Sequence, residues 1–137
     1  MKSEKEIVLD YVEELKLTGV KDELEDVCAL AMQEGWNHMR LIAELLRKET
    51  QRRAELRVRT RMKAAKFPQM KYLHELDTEE LPDDARKALP ELETLDFVRE
   101  GRNVVLYGNP GTGKTHIATA LGIKACQCNH TVLFLSL

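Results

Sequence analysis

Residues 108–115 read Gly-Asn-Pro-Gly-Thr-Gly-Lys-Thr, which matches the P-loop pattern G-x-x-x-x-G-K-[ST]. No other stretch of this chain limits the fold as strongly, because the pattern works as a loop between a β-strand and the start of a helix. An apolar, β-branched run at 103–107 precedes it, and a helical pattern at 114–127 follows. A second apolar run lies at 131–135. The sequence therefore predicts an α/β fold here, the first βαβ unit of a P-loop parallel sheet that is incomplete.

Each residue type in the loop has a chemical reason to be there. Glycine at 108 and 113 lets the backbone turn sharply and approach phosphate without a Cβ in the way. The backbone amides from about Gly111 onward are expected to point at an anion, where the helix dipole favours negative charge. Lys114 is expected to bind the β- and γ-phosphates of ATP, and the Thr115 hydroxyl to ligate Mg²⁺. The candidate nucleotide-binding residues are Gly108, Asn109, Pro110, Gly111, Thr112, Gly113, Lys114, Thr115 and His116.

Helical patterns fill the N-terminal part of the chain. Ser3-x-x-Glu6 is a capping box that starts a first helix, which Gly19 is expected to break. A second helix is expected to end at Gly35. Asn37 can cap a third, whose first half is expected to bury four apolar residues. These are Leu41, Ile42, Leu45 and Leu46.

The third helix is predicted to end at about Ala65, because Pro68 cannot continue it. Pro82 and Pro90 are each expected to start a short helix further on. We therefore expect three regions. They are an all-helical module at 1–66, a linker with short helices at 67–100 and a partial P-loop ATPase domain at 101–137.

The net charge of −2 hides a strong asymmetry along the chain. Residues 1–39 carry four Lys or Arg and ten Asp or Glu, whereas residues 40–66 carry ten and three. The basic side chains form rows at helical spacing, and such rows can neutralise several DNA phosphates. A solvated helix face, or pairing with an acidic surface such as residues 1–39, explains the pattern equally well. The DNA-binding candidates are Arg52, Arg53, Arg57, Arg59, Arg61, Lys63 and Lys66.

The order of these features resembles a known family. The chain carries Arg59-x-Arg61-x-x-x-Ala65-x-Phe67-Pro68, then Leu95-Asp96-Phe97, then a P-loop followed by His116. In this it looks like the IstB-like ATP-binding proteins, helper ATPases of insertion-sequence transposition, and the resemblance implies that the P-loop sheet is AAA+-like. The resemblance runs from about residue 5 to the end of the sequence. It implies an ATP-dependent, DNA-binding homo-oligomer that works with a transposase. It also implies nucleotide binding at Gly108, Gly111, Gly113, Lys114 and Thr115.

Two other functions fit the same residues. One is a DnaC-type replicative helicase loader, with a helicase as partner, and the other is a non-enzymatic helical module that binds DNA or a protein. An ATPase of this class needs an acidic residue at the end of a later strand, the Walker B position. None follows within the 137 residues, so we expect a shortened family member with little or no ATPase activity and name no catalytic residue.

Composition bears on the compartment and on metal binding. Three cysteines are too few for a disulfide framework, which predicts a reducing cytoplasm. Neither a secretory signal nor an apolar run of roughly 20 residues is found. Cys126-x-Cys128-x-His130 lacks a fourth ligand at useful spacing, so we interpret it as packing.

Overall fold

A computed structural model describes residues 1–136 as helices joined by turns and irregular segments. The α-helices are α1 (Glu4–Glu14), α2 (Thr18–Glu34), α3 (His38–Ala65), α4 (Asp83–Glu93), α5 (Asp96–Arg99) and α6 (Lys114–Gln127). Single turns of 3-10 helix lie at Leu73–Glu75 and Thr78–Glu80. The chain divides inside α3 into an N-terminal unit, Met1–Arg57, and a C-terminal unit, Val58–Leu137. No helix of residues 1–136 is both long and apolar enough to cross a membrane.

The start of α1 confirms the capping box. The Ser3 amide donates to the Glu6 carboxylate at 2.7 Å, and the Ser3 hydroxyl accepts from the Glu6 amide at 3.3 Å. The prediction that Gly19 breaks this helix is wrong. The chain turns at Lys16, whose φ is 57°, and Gly19 lies inside the first turn of α2.

Gly19 serves a close approach between two helices. A Cβ at Gly19 would lie 2.8 Å from the Lys48 carbonyl oxygen and 2.8 Å from the Arg52 Cβ, both on α3. The Glu49 carboxylate, on a residue only 5% exposed, accepts hydrogen bonds from the amides of Gly19 at 2.7 Å and Val20 at 3.1 Å. Because Leu17 at the N-cap of α2 offers no side-chain acceptor, Glu49 caps this helix from a distant part of the sequence.

The third helix has the predicted ends but not all of the predicted burial. The Asn37 side chain accepts from the Arg40 amide at 2.8 Å, which confirms it as the cap, and α3 ends at Ala65. Leu45 packs against the apolar core of the N-terminal unit, which contains Val12, Val20 and Leu24. The prediction is wrong for Ile42 and Leu46, which are 48% and 56% exposed.

The core of the C-terminal unit forms around α6. Leu121 of α6 packs with residues from α4 and from the segments beside it. The prediction that Pro90 starts a new helix is wrong, because α4 continues through it to Glu93. Leu89, which is 5% exposed, belongs to this core and anchors the same turn. The buried residues are Leu81, Leu89, Leu95, Ile117, Leu121 and Ala125.

The predicted α/β class is wrong for this structure. None of residues 1–136 lies in a β-strand, so of the predicted βαβ unit only the helix, α6, is present. A helix satisfies its backbone groups within its own segment, whereas a strand needs a neighbouring one. The segments 102–108 and 130–136 are irregular, and the Phe134 amide donates to the last residue of α3, the Ala65 carbonyl, at 2.8 Å. Side chains of both segments, among them Leu106 and Val132, line an apolar cavity of about 400 Å³.

Candidate nucleotide-binding site

The glycine-rich loop leads directly into α6. Gly111 and Gly113 have φ values of 82° and 86°, a backbone region that other residues rarely adopt. Gly113 forms the N-cap of α6, and the Ile117 amide donates to its carbonyl at 2.9 Å. The amides of Lys114, Thr115 and His116 come before this bond, so α6 offers them no acceptor. Three backbone donors therefore remain available at the positive end of the helix dipole.

The Lys114 side chain folds back over the loop. Its Nζ donates to the carbonyl oxygens of Gly108 at 2.6 Å and Asn109 at 2.8 Å. The Thr112 hydroxyl donates to the same Asn109 carbonyl at 2.8 Å. The Thr115 side chain is exposed and makes no hydrogen bond within the described residues. The structure thus places a cation and a free hydroxyl beside the amides at the start of α6.

The His116 ring contacts a segment that the sequence did not connect with the loop. Its Nε2 lies 3.0 Å from the Tyr72 carbonyl oxygen, across 44 residues of sequence. The Tyr72 ring stacks with His74, with ring centroids 5.4 Å apart. No local pattern marks this contact, since it depends on how the 3-10 turns pack beside α6. The structure therefore places the His116 ring against this turn, at the edge of the candidate site.

The cysteines near the end of α6 occupy different environments. Cys126 is fully buried, and burial raises the pKa of its thiol, which disfavours the thiolate that binds metals. Cys128 is exposed. Within residues 1–136, no group of three or more His, Cys, Asp or Glu side chains is placed to hold a metal ion.

Two of the seven DNA-binding candidates form hydrogen bonds inside the protein, and a third has a buried guanidinium nitrogen. Arg53 Nε donates to the Glu49 carboxylate at 3.0 Å, and Arg61 Nη1 donates to Asn129 Oδ1 at 3.0 Å. The Nε of Arg52 is buried without a hydrogen-bond partner in the described part of the chain. These three arginines are thus partly committed to the protein itself.

The other four candidates are exposed and form no ion pair within residues 1–136. They are Arg57, Arg59, Lys63 and Lys66. The alternative was that the basic side chains pair with residues 1–39. In the described N-terminal unit, Lys48 of α3 forms such a pair, with its Nζ 3.6 Å from Glu23 Oε2. Lys48 is not one of the candidates, so this pair leaves their charges available.

Comparison with known proteins gives the class of this chain. The family of IstB-like ATP binding proteins matches residues 11–137. An ATP-binding protein of insertion sequence IS21 from Pseudomonas aeruginosa is 36% identical over 123 residues, which cover 90% of this chain and 46% of that protein. An IS21-like ATP-binding protein from Bacteroides fragilis is 31% identical over 140 residues, covering 100% and 52%.

A third relative, the ATP-binding protein of insertion sequence IS232 from Bacillus thuringiensis, is 27% identical over 135 residues. The match covers 98% of this chain and 54% of that protein. This chain belongs to the IstB-like ATP-binding protein family, which confirms the resemblance read from its motifs. It spans about half the length of these relatives.

Proposed function

We propose that this chain binds ATP with Mg²⁺ through residues 108–116 and acts as the ATP-binding component of an insertion sequence. The observation that supports this most is the geometry at the start of α6. Lys114 Nζ lies against two loop carbonyls, next to amides that the helix leaves without acceptors. Membership of a family described as ATP-binding points to the same ligand.

Each group at the loop has a role in this proposal. The amides of residues 114–116 and the Lys114 ammonium would bind phosphate oxygens, which replace the carbonyl oxygens that the ammonium now contacts. The exposed Thr115 hydroxyl makes no hydrogen bond in the described structure, which fits a ligand of Mg²⁺. The bound Mg²⁺ would neutralise part of the charge of the triphosphate.

Titration calorimetry with MgATP tests the proposal. Lys114→Ala removes a charge-assisted contact to phosphate, so affinity should fall roughly 10- to 150-fold. Lys124→Ala, in the last turn of the same helix and outside the motif, is the matched control and should bind as the wild type does. Equal affinities of the wild type and the Lys114 variant would contradict the proposal.

We propose further that the second half of α3 binds DNA through its exposed cations. Arg59, Lys63 and Lys66 follow one another at spacings of four and three residues, so they lie on one face of the helix or just beyond its end. Their freedom from ion pairs within residues 1–136 favours this reading over a face that pairs with residues 1–39.

The salt dependence of DNA affinity tests this second binding activity. Replacing the three cations by glutamine should weaken binding and reduce the slope of log K against log salt by roughly 0.9 for each lost phosphate contact. The control exchanges Lys16, Lys87 and Lys124 for glutamine, which changes the net charge equally. Equal slopes for the two triple variants would refute an interface on α3.

The biological setting is also part of the proposal. The relatives are named as ATP-binding proteins of insertion sequences, which favours a role in transposition over helicase loading. Work with a transposase and assembly with further copies of the chain rest on family membership. Co-purification with the transposase encoded in the same element, compared with a replicative helicase, distinguishes the two partners.

A further inference from the structure

A cavity of about 190 Å³ lies between α2 and α3 in the N-terminal unit, and most of the residues that line it are charged. The charged ones are Asp22, Glu23, Lys48, Arg52 and Glu55. Sites for whole small molecules usually measure roughly 300 Å³ or more. This cavity is therefore of a size to receive a single polar side chain and not a whole cofactor.

The Arg52 guanidinium at this cavity is not paired inside the protein. Its Nε is buried without a hydrogen-bond partner among residues 1–136. Its neighbours on α3 are paired, Lys48 with Glu23 and Arg53 with Glu49, whereas Arg52 forms no ion pair in the described part of the chain. Because buried polar groups nearly always have a partner, a group that enters the cavity would supply the missing acceptor.

The stem of Arg52 lies where α2 packs directly against α3. A Cβ at Gly19 would be only 2.8 Å from the Arg52 Cβ, so the two helices leave the stem little room. A guanidinium offers its N–H groups as a rigid fork, which matches two oxygens of a carboxylate or of a phosphate. The side chain is thus held in advance for an anionic group.

Two carboxylates beside the cavity distinguish between these anions. Asp22 and Glu55 are exposed and form no ion pair within residues 1–136. A DNA strand carries a negative charge at every phosphate, so the neighbours of a phosphate on Arg52 would meet like charges. A protein segment can instead carry one carboxylate between two basic side chains, which complements this pattern of charges.

We propose that the cavity is a docking site for a partner protein that presents one Asp or Glu carboxylate to the Arg52 guanidinium. The basic neighbours of that carboxylate face Asp22 and Glu55. The site is independent of the proposed nucleotide binding, because all of its residues belong to the N-terminal unit. It also separates Arg52 from the exposed cations of α3 that we propose to bind DNA.

Nuclear magnetic resonance of the Arg52 Nε–H group in the 137-residue chain tests the proposal. Loss of the signal in Arg52→Gln assigns it. The probe is the peptide Lys-Ala-Ala-Ala-Glu-Ala-Ala-Ala-Lys with both ends blocked, whose charges share one face of a helix. Its titration should shift the signal to saturation. The same peptide with glutamine in place of glutamate should bind roughly 10-fold more weakly, since a charge-assisted hydrogen bond is lost.

A protein variant with a matched control completes the test. In Arg52→Gln, followed by the backbone amide signals of residues 19–23, the two peptides should bind equally. Lys16→Gln removes an exposed cation of the same unit outside the cavity and should distinguish the peptides as the wild type does. The exchange of glutamate for glutamine is made in the peptide, so a folding defect of Arg52→Gln would leave the first comparison valid.

Three results would overturn the inference. If neither peptide shifts the Arg52 signal, the cavity holds water only. If both peptides bind the wild type equally, the carboxylate is not what the site recognises. If a DNA duplex shifts the signal and the glutamate peptide does not, Arg52 belongs to a DNA-binding surface instead.

Discussion

In the N-terminal unit α1, α2 and α3 each begin at a side-chain cap, whereas in the C-terminal unit the two segments that flank α6 are irregular and form no sheet within residues 1–136. The caps are Ser3, Glu49 and Asn37, and all three act within the N-terminal unit. Segments 102–108 and 130–136 have no neighbouring strand among residues 1–136, although single amides such as that of Phe134 donate to other parts of the unit. The difference shows that a helix needs only a cap beyond its own segment to satisfy its backbone groups, while a strand depends along its whole length on a neighbour.

The largest expected effect compares one glycine from each unit. Gly19→Ala would place its Cβ 2.9 Å or less from backbone atoms of α3, which cannot move easily, so the free energy of unfolding should fall by about 3 kcal/mol. In Gly122→Ala the new Cβ would lie 2.7 Å from Cε1 of the Phe67 ring, a side chain that can rotate away. Alanine also favours the helix by about 1 kcal/mol, so its net effect should be small. Thermal unfolding followed by circular dichroism measures the stability of both variants. If Gly122→Ala lost as much stability as Gly19→Ala, the C-terminal unit would be packed as rigidly around Gly122 as the N-terminal unit is around Gly19.

A smaller effect is expected at the buried cap of α2. Glu49→Gln keeps an acceptor for the amides of Gly19 and Val20 but loses the charge that pairs with Arg53, which should cost about 2 kcal/mol. Glu55→Gln removes an exposed charge from the same helix and should change stability little. A loss at Glu55 as large as that at Glu49 would show that the total charge of α3 matters, and not the cap.

The cap also makes a pH prediction. Burial alone would raise the pKa of Glu49, but hydrogen bonds from Val20, Arg53 and Gly19 together lower it below its ordinary value of 4.5. Because the folded-state pKa is lowered, the stability it contributes is present above about pH 4.5 and is lost as the pH falls through the folded-state pKa. The difference in unfolding free energy between the wild type and Glu49→Gln should therefore shrink below pH 4.5. A constant difference down to pH 3 would contradict this.

The smallest effect is expected at the exposed cap of α1. Ser3→Ala removes the acceptor for the Glu6 amide and should cost about 1 kcal/mol. Thr18→Ala, at the first residue of α2, is the control, because its hydroxyl makes no hydrogen bond within residues 1–136 and Glu49 caps that helix. The two thermal midpoints should differ, and identical midpoints would show that the capping box does not stabilise α1.

Features encoded within a few residues could be predicted from the sequence. The capping box at Ser3, the Asn37 cap and the end of α2 at Gly35, which has a φ of 66°, are confirmed. Gly19 was misread because a glycine can mark a break or a close approach, and only the position of α3 decides between them. The two strands were predicted from apolar patterns that specify side-chain preference without supplying a partner.

The candidate site shows the same limit. Its loop before a helix could be predicted from the P-loop motif, and its ligand residues stay predictions. The neighbours of the loop could not be predicted, because His116 contacts Tyr72, which lies 44 residues away in the sequence. The hydrogen bonds of Arg53 and Arg61 could not be predicted either, since Glu49 and Asn129 become their partners only in the folded chain.

The central claim is that the backbone of residues 111–116 receives the phosphates of ATP. Amide hydrogen exchange of the 137-residue chain, followed by mass spectrometry with and without saturating MgATP, measures this directly. We predict slower exchange of peptides covering 111–116 on addition of MgATP, and no such change in Lys114→Ala. Unchanged exchange over these residues in the wild type, or slowing confined to another segment, would contradict the account.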